Sequence, residues 1–511
     1  MNKLCLPLAE STLPSLERKI GQYRDQVDYI EVRLDYLSSP SLPSLPTESR
    51  AEFLATCRPP REGGRFEGTE RDRLQLLSAA AHNGFAWVDL EHDVDQDPDL
   101  PSSTRVVRSV HCFDRLPDDL PGLFEKLESR GGDVVKIAAT VSSTRELVKL
   151  LSWMESLPDK KPYTVLGMGG LGQPSRFLGA FLGNFWTFVC EDAEQTVAPG
   201  QFGLEQATNL YRLDSWESTP VIYGILGNPV AHSRSPQLHN RLFQRHRLDN
   251  LYLPFQLDEL EPWIEYVRSS RLRFAGFSVT LPFKTDAAEL ADSADSPVAS
   301  INTLCRSGSG WKGLNTDYPA FLAPLTSQLS LQQKRALVLG NGGVAHTVVA
   351  GLKNEGARVV VVGRNQERVS HLASHYGCSH ALFSDLPLAA DLCVNTTPVG
   401  QYPLTEASPL SQDQLRFDLV YDLIYHPEQT QLLQMAAQKG AQTISGMEMF
   451  IFHINCITGH STIACLFTFI HRVKKGIRII HAIHIPTATG HILTRPICIT
   501  NAQSPIAPSK K

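Results

Sequence analysis

The sequence is poor in the features that mark secreted, membrane-spanning or metal-stapled proteins. Its ten cysteines are scattered over 511 residues with no C-x-x-C pair, which argues against a disulfide framework or a zinc site and fits free thiols in a reducing compartment. No apolar run approaches the roughly 18 residues that a membrane helix needs. The start, MNKLCLPLAE, lacks both the apolar core of a signal peptide and the Arg/Ser-rich character of a transit peptide, so a cytoplasmic protein without an import signal is expected. An excess of charge of one sign is missing as well. A net charge of -5 with 20% charged residues leaves no polyanion-binding footprint, and neither nucleic acid nor membrane is expected as a partner. One absence is local: from Phe450 to Lys511 there is no Asp or Glu, while isoleucine, histidine, lysine and arginine abound. Residues 453–511 are therefore read as an atypical tail, divergent or altered in frame.

What is present suffices for several cores. Hydrophobic residues make up 42% of the chain, and at roughly 150 residues per domain the length predicts two or three domains. Up to about residue 190, eight β-rich runs (KLCLPL, DYIEVRLD, EFLATCR, WVDLEHD, RVVRSVHC, VVKIAAT, YTVLGM, FWTFVC) alternate with helix-like stretches. Eight βα repeats close a (β/α)8 TIM barrel, here placed over 1–212 with a closing helix from Leu204 to Arg212. The polar stretch LDSWESTP marks a boundary. A second α/β unit follows over 221–325. A third, over 326–452, has the continuous apolar strands ALVLG, RVVVVG, LCVNTT and LVYDLI that a parallel sheet covered on both faces requires.

In Tyr29–Asp35 the charged residues Glu31, Arg33 and Asp35 share one strand face, with Ile30, Val32 and Leu34 on the other. Ionisable groups inside a barrel near the C-terminal strand ends pack poorly but bind substrates well. Arg58 and His111 end their runs in the same way, and Lys136 sits within VVKIAA. A lysine there must be paired, desolvated or reactive, and nearby arginines would favour the neutral amine that Schiff-base chemistry needs. Further on, Gly340-Asn341-Gly342-Gly343-Val344-Ala345 follows a strand and opens a helix, as a dinucleotide fold requires. The next strand ends at Arg364, where an NAD-binding fold would carry an acid. Arginine suits a 2'-phosphate, so NADP (NADPH) is the expected cofactor. Ser233 and Ser235 in GNPVAHSRSPQLHN, Lys284 at the end of SVTLPFK, Asn302 in SINT and Asp317 in GLNTD are unremarkable singly and specific together.

EVRLD, CRPPREGG, SVHCF, VVKIA, SR at 175–176 and APGQ at 198–201 resemble the type I 3-dehydroquinate dehydratases. That resemblance implies an imine on Lys136, proton transfer by His111 assisted by Glu62, and substrate contacts from Glu31, Arg33, Arg58, Arg176 and Gln201. Val197 departs from the serine usual before APGQ. From 221 to 452 the motifs GNPVxHSxSPxxHN, GFSVTLPFK, GLNTD, GNGGVA, GRN, NTTPVG, DLIYHPEQT and GMEMF resemble the shikimate dehydrogenases. The implied roles are proton handling by Lys284 and Asp317, and carboxylate binding by Ser233 and Ser235. Thr280, Asn302 and Asn315 would contact hydroxyls, and Tyr425 would lie near substrate and nicotinamide. Gly340, Asn341, Gly342, Gly343, Ala345, Arg364, Asn365 and Thr397 would hold the cofactor. Ser278 stands where single-function enzymes often have Asn, and His453 replaces a substrate-binding glutamine. The fused arrangement is similar to that of plants and chlamydiae, which implies 3-dehydroquinate and 3-dehydroshikimate or shikimate as ligands. Two alternatives remain: a quinate/shikimate dehydrogenase with one drifted half, and a non-catalytic binding protein, whose mark would be loss of Lys136, Lys284 or Asp317.

Overall fold

Strands β1 (Lys3–Leu8), β2 (Tyr29–Arg33), β3 (Glu52–Thr56), β4 (Trp87–Glu91), β5 (Arg105–Cys112), β6 (Val134–Thr140), β7 (Tyr163–Met168) and β8 (Trp186–Phe188) pair in parallel in the order 7-6-5-4-3-2-1-8. The computed structural model describes residues 2–457 except Pro40, 158–160, 193–199, His232, 296–299 and 387–388; the side chains of 453–457 lie outside the description too. Between β7 and the residues leading into β8, the backbone bridge Tyr163–Asn184 and a side chain together close the ring. Val165 N donates to Asn184 Oδ1 at 2.9 Å and Asn184 Nδ2 donates to Val165 O at 2.9 Å, so a side-chain amide stands in for a peptide group of the ladder. The eight-stranded parallel α/β barrel is as expected, and its crossovers are less regular. Helices α1 (Leu13–Tyr23), α2 (Glu70–His82), α3 (Leu120–Ser129), α4 (Thr144–Ser156) and α5 (Gln173–Leu182) occupy five crossovers, but β2–β3 and β4–β5 are joined without an α-helix among the described residues. Those connections carry Pro43 and Pro46, and Pro98 and Pro101, each lacking the amide a helix interior needs. The closing helix is a π-helical turn, Gln206–Leu210.

Side-chain alternation layers the barrel interior. Tyr29, Trp87 and Trp186 each open their strand and meet at its N-terminal end, with ring centroids 4.8 to 6.0 Å apart. Each buries roughly 150–250 Å², worth about 4–6 kcal/mol by area. Two residues further along the same faces stand Glu31 and Asp89, joined by Ser109 and Lys136 from β5 and β6, all buried. A dry aromatic floor thus supports a polar layer that opens toward the C-terminal strand ends.

The second sheet contains β9 (Val221–Gly227), β10 (Asn250–Gln256), β11 (Phe274–Val279), β12 (Ser293–Asp295), β13 (Thr303–Ser307) and β14 (Gly310–Leu314) in the order 10-9-11-13-14-12. Helices α6 (Ser235–Arg245), α7 (Glu261–Ser269) and α8 (Asp286–Leu290) belong to this lobe. Helix α4 of the barrel packs on α7; there Thr144 N donates to Asp258 Oδ1 at 2.7 Å and Tyr266 Oη donates to Glu155 Oε1 at 2.8 Å. Helix α9 (Asp317–Thr326) leads to the third sheet: β15 (Arg335–Leu339), β16 (Arg358–Gly363), β17 (Ser379–Leu382), β18 (Leu392–Asn395), β19 (Leu419–Asp422) and β20 (Gln442–Ser445). It is wholly parallel in the order 17-16-15-18-19-20, the doubly wound dinucleotide-binding topology. Helices α10 (Gly343–Asn354), α11 (Gln366–Tyr376), α12 (Gln431–Gln438) and α13 (Gly446–Ile457) accompany it, and α13 packs on α9.

Candidate active sites

The first site grows from the polar layer. Lys136 Nζ lies 3.1 Å from Asp89 Oδ2 and 3.6 Å from Glu31 Oε1, and 4.6 Å from the centroid of the Phe188 ring. Its nearest charges are carboxylates, and the nearby arginine that was expected stands behind one of them. Arg58 leans on the same carboxylate: its Nη2 donates to Asp89 Oδ2 at 2.7 Å, and its Nη1 reaches Glu91 Oε1 and Ser109 Oγ, each at 3.2 Å. Burial opposes the charge on Asp89, but Arg58, Lys136 and the Ser109 hydroxyl prevail and hold the carboxyl well below its usual range. Glu31 accepts from Thr56 Oγ1 at 2.8 Å. Arg33 grips Asp35 bidentately at 2.9 and 2.8 Å, so one predicted substrate contact already has an internal partner.

His111 lies at the wall of this layer. Its Nδ1 is 3.1 Å from Glu62 Oε2, and its backbone N donates to the same oxygen at 2.8 Å. Glu62 sits on the turn Pro60–Glu62, where burial pushes its carboxyl up to about 7. Burial, with Arg58 and Lys136 nearby, holds the imidazole well below its ordinary value, leaving it neutral and able to accept a proton near neutral pH. Arg176 is buried in the first turns of α5, and burial draws its guanidinium down to about 10. Gln201 is buried too, while Val197 falls outside the described residues. Asp89, Glu91 and Ser109 went unassigned from the sequence. The signal was available in WVDLE and SVH, which repeat the i, i+2 alternation of EVRLD.

The second site lies between the two following sheets. Lys284 Nζ donates to Asp317 Oδ2 at 2.6 Å, joining the loop after β11 to the start of α9. Asn302 is buried, its Oδ1 accepting from Thr316 N at 2.8 Å and from Thr316 Oγ1 at 3.0 Å, while its Nδ2 has no protein partner among the described residues. A buried amide with open donors is suited to a ligand oxygen. Asn315 Nδ2 donates to Ser300 O at 2.8 Å and approaches Thr347 Oγ1 of α10 at 3.4 Å, tying the lobes together. Ser235 opens α6, and its N donates to Ser233 Oγ at 3.2 Å. Ser278 accepts from Tyr252 Oη at 2.7 Å. Thr280 follows the end of β11. Tyr425 is partly exposed and stacked on Phe450, centroids 4.9 Å apart. The side chain of His453 is outside the described set.

The glycine loop occupies the point where strand order reverses, between β15 and β18. Gly340 has φ +109°, and a Cβ there would stand 2.6 Å from Thr396 Oγ1. Gly342 and Gly343 have open space above them at the start of α10, so backbone amides face a cradle that an anionic group can enter. Ala345 is buried beneath it, and the Asn341 side chain comes near Gly363. Arg364 is exposed at the end of β16, and Asn365 caps α11 by accepting from Arg368 N at 3.0 Å. Thr397 lies in the neighbouring loop with its hydroxyl spent on Asn395 Oδ1 at 2.7 Å, leaving its backbone and methyl as contact groups. Asn395 in turn donates to Asp422, which also accepts from Thr430 Oγ1 at 2.6 Å. This buried network braces the two loops that flank the cradle.

Comparison with known proteins places families on each part. The type I 3-dehydroquinase family matches residues 4–217, the shikimate dehydrogenase substrate binding domain 225–304, and the shikimate / quinate 5-dehydrogenase family 323–399. A chloroplastic bifunctional 3-dehydroquinate dehydratase/shikimate dehydrogenase of Arabidopsis thaliana is 31% identical over 485 residues, covering 88% of this chain and 80% of that protein. A shikimate dehydrogenase (NADP(+)) of Nostoc sp. is 40% identical over 253 residues, 45% of this chain and 86% of its own length. Among solved structures, the Thermus thermophilus shikimate 5-dehydrogenase in complex with NADP(H) and shikimate is 31% identical, with a TM-score of 0.42, covering 47% of this chain and 94% of that one.

Proposed function

The chain belongs to the bifunctional 3-dehydroquinate dehydratase/shikimate dehydrogenase family, and from that premise we propose how its residues divide the work. The enzyme dehydrates 3-dehydroquinate in its first half and reduces 3-dehydroshikimate with NADPH in its second. We assign the dehydratase to 1–212, the shikimate-binding lobe to 221–325 and the NADP-binding lobe to 326–452, with 453–511 as a separate tail.

In the dehydratase, Lys136 gives up a proton and its Nζ bonds the ketone carbon, whose oxygen departs as water. The resulting iminium acidifies the adjacent carbon, His111 takes that proton and returns it to the β-hydroxyl, which leaves as water. Hydrolysis of the imine returns the amine and frees the product. Glu62 orients His111 through Nδ1, and Glu31, Arg33, Arg58, Arg176 and Gln201 hold the substrate's carboxylate and hydroxyls. The observation that carries this reading is the single lysine in the polar layer, 3.1 Å from Asp89.

In the dehydrogenase, the open glycine cradle at α10 and the exposed Arg364 fit a pyrophosphate and a 2'-phosphate. NADPH, when bound, supplies the hydride. Lys284 delivers a proton to the ketone oxygen and Asp317 holds the lysine in place. Ser233 and Ser235 take the carboxylate, and the open amide of Asn302 donates to a hydroxyl. Thr280, Asn315 and Tyr425 complete the binding wall. No helix among the described residues is long and apolar enough to cross a membrane; free thiols on the described cysteines support a cytoplasmic location.

Borohydride added during turnover of 3-dehydroquinate, followed by peptide mapping, should fix mass on Lys136. Label on another lysine would overturn the dehydratase assignment.

A further inference from the structure

Helix α2 lies outside the barrel, yet its Arg73 is fully buried and reaches the ion network of the first site. Arg73 Nη1 lies 2.7 Å from Glu91 Oε2, off the N–H axis, and donates to Cys57 O at 2.9 Å. Its Nε and Nη2 hold Glu70 at 2.9 and 2.6 Å. The other oxygen of Glu91 faces Arg58 at 3.2 Å, Arg58 faces Asp89 at 2.7 Å, and Asp89 faces Lys136 at 3.1 Å. Charges therefore alternate along one buried line, from Arg73 through Glu91, Arg58 and Asp89 to Lys136. Glu91 and Asp89 compete for Arg58, and a buried carboxylate short of cations pulls harder on the one it has.

We propose that Arg73 is a positioning residue for the dehydration. By neutralising Glu91 it leaves Arg58 on Asp89, so that Asp89 holds Lys136 loosely enough for the amine to leave it and attack the ketone. Arg73 touches neither substrate nor reacting atoms. The inference rests on the assignment of Lys136, which the borohydride label tests separately.

The experiment uses the full-length chain and compares R73M, E91Q and R73M/E91Q. R73M should lower the dehydration kcat roughly ten- to hundredfold with KM changed by less than about threefold, and slow borohydride-trappable imine formation by the same factor. Shikimate oxidation by the same preparation should stay at the wild-type rate, which reports an intact chain. In R73M/E91Q no unpaired carboxylate remains at position 91, so its kcat should return to within about threefold of E91Q alone. An R73M chain with wild-type kcat would overturn the proposal. So would a double variant about tenfold or more slower than E91Q, because Arg73 would then act by packing α2 on Cys57 O. Should R73M fail to fold, the comparison of the double variant with E91Q decides alone. Label on Lys136 with no effect of Arg73 removes this inference and leaves the dehydratase reading standing.

Discussion

Each half of the molecule pairs a lysine with an aspartate, and the two pairs are built for opposite ends. Lys136 and Asp89 are buried at 6% and 0% side-chain exposure, inside a network that includes Arg58, Glu91, Glu31 and Ser109. Lys284 and Asp317 keep 20% and 13% exposure and meet at 2.6 Å. A nucleophilic amine must be held and then released, which calls for competing partners that can take over its counter-charge. A lysine that only hands over a proton regains it from solvent, so a carboxylate beside it and access to water suffice.

The comparison breaks most visibly if either lysine serves both halves. Lys136→Ala should lower dehydration by about 10⁴-fold or more and leave shikimate oxidation near the wild-type rate. Lys284→Met should lower shikimate oxidation by roughly 10²- to 10⁴-fold and leave dehydration unchanged. Two separate assays on each purified variant decide it, and a loss of both activities from either substitution would show that the sites are not independent.

The same contrast explains what was legible in the sequence. The barrel site could be read from strand periodicity, because Glu31, Arg33, His111 and Lys136 all lie on inward faces at spacing two. Asp89 and Glu91 obey the same rule and needed only its repeated use. Arg73 could not be found that way: helical position 73 looks like an exposed turn, and only the tertiary path between β3 and β4 buries it. The carboxylate partners of Lys136 were not foreseen for a related reason, since strand order, not sequence, sets Asp89 beside it. The dehydrogenase residues come from loops and helix starts, where no period exists, so resemblance carried them. The two crossovers without an α-helix among the described residues carry paired prolines, a breaker signal that the count of βα repeats does not use.

A second difference is a titration at the catalytic histidine's partner in the barrel. Burial raises the Glu62 carboxyl from 4.5 to about 7 in the folded chain, so the folded state holds that proton more tightly than the unfolded one. The stabilisation this brings is complete below about 4.5 and lost as pH rises through about 7. Glu62→Gln, which cannot ionise, should therefore gain on the wild type as pH rises across that window, by about 3 kcal/mol at most. Hydrogen exchange of the amides of β4 and β5, read by mass spectrometry at pH 5 and pH 8, measures the local opening energy. A pH-independent difference between the two proteins would show that Glu62 is not held in its protonated form by burial.

The smallest effect falls on the most exposed predicted residue. Arg364 follows the end of β16 in water, next to the glycine cradle, and the role proposed for it is to pair with a phosphate that NADPH has and NADH lacks. Exposure limits what such a contact yields, because solvent already screens the guanidinium, but a charge-assisted pair with a dianionic phosphate is still worth about 1.5–3 kcal/mol. Arg364→Ala should weaken NADPH binding about ten- to hundredfold and leave NADH binding almost unchanged. Raising the salt concentration should shrink the wild-type preference for NADPH toward that of the variant, since an exposed pair is screened and a buried one is not. Fluorescence titration of both cofactors at two ionic strengths separates these outcomes. Equal losses for NADPH and NADH would mean that Arg364 shapes the end of β16 instead of reading the 2'-phosphate, and the cofactor preference would then have to come from another residue of the α11 start.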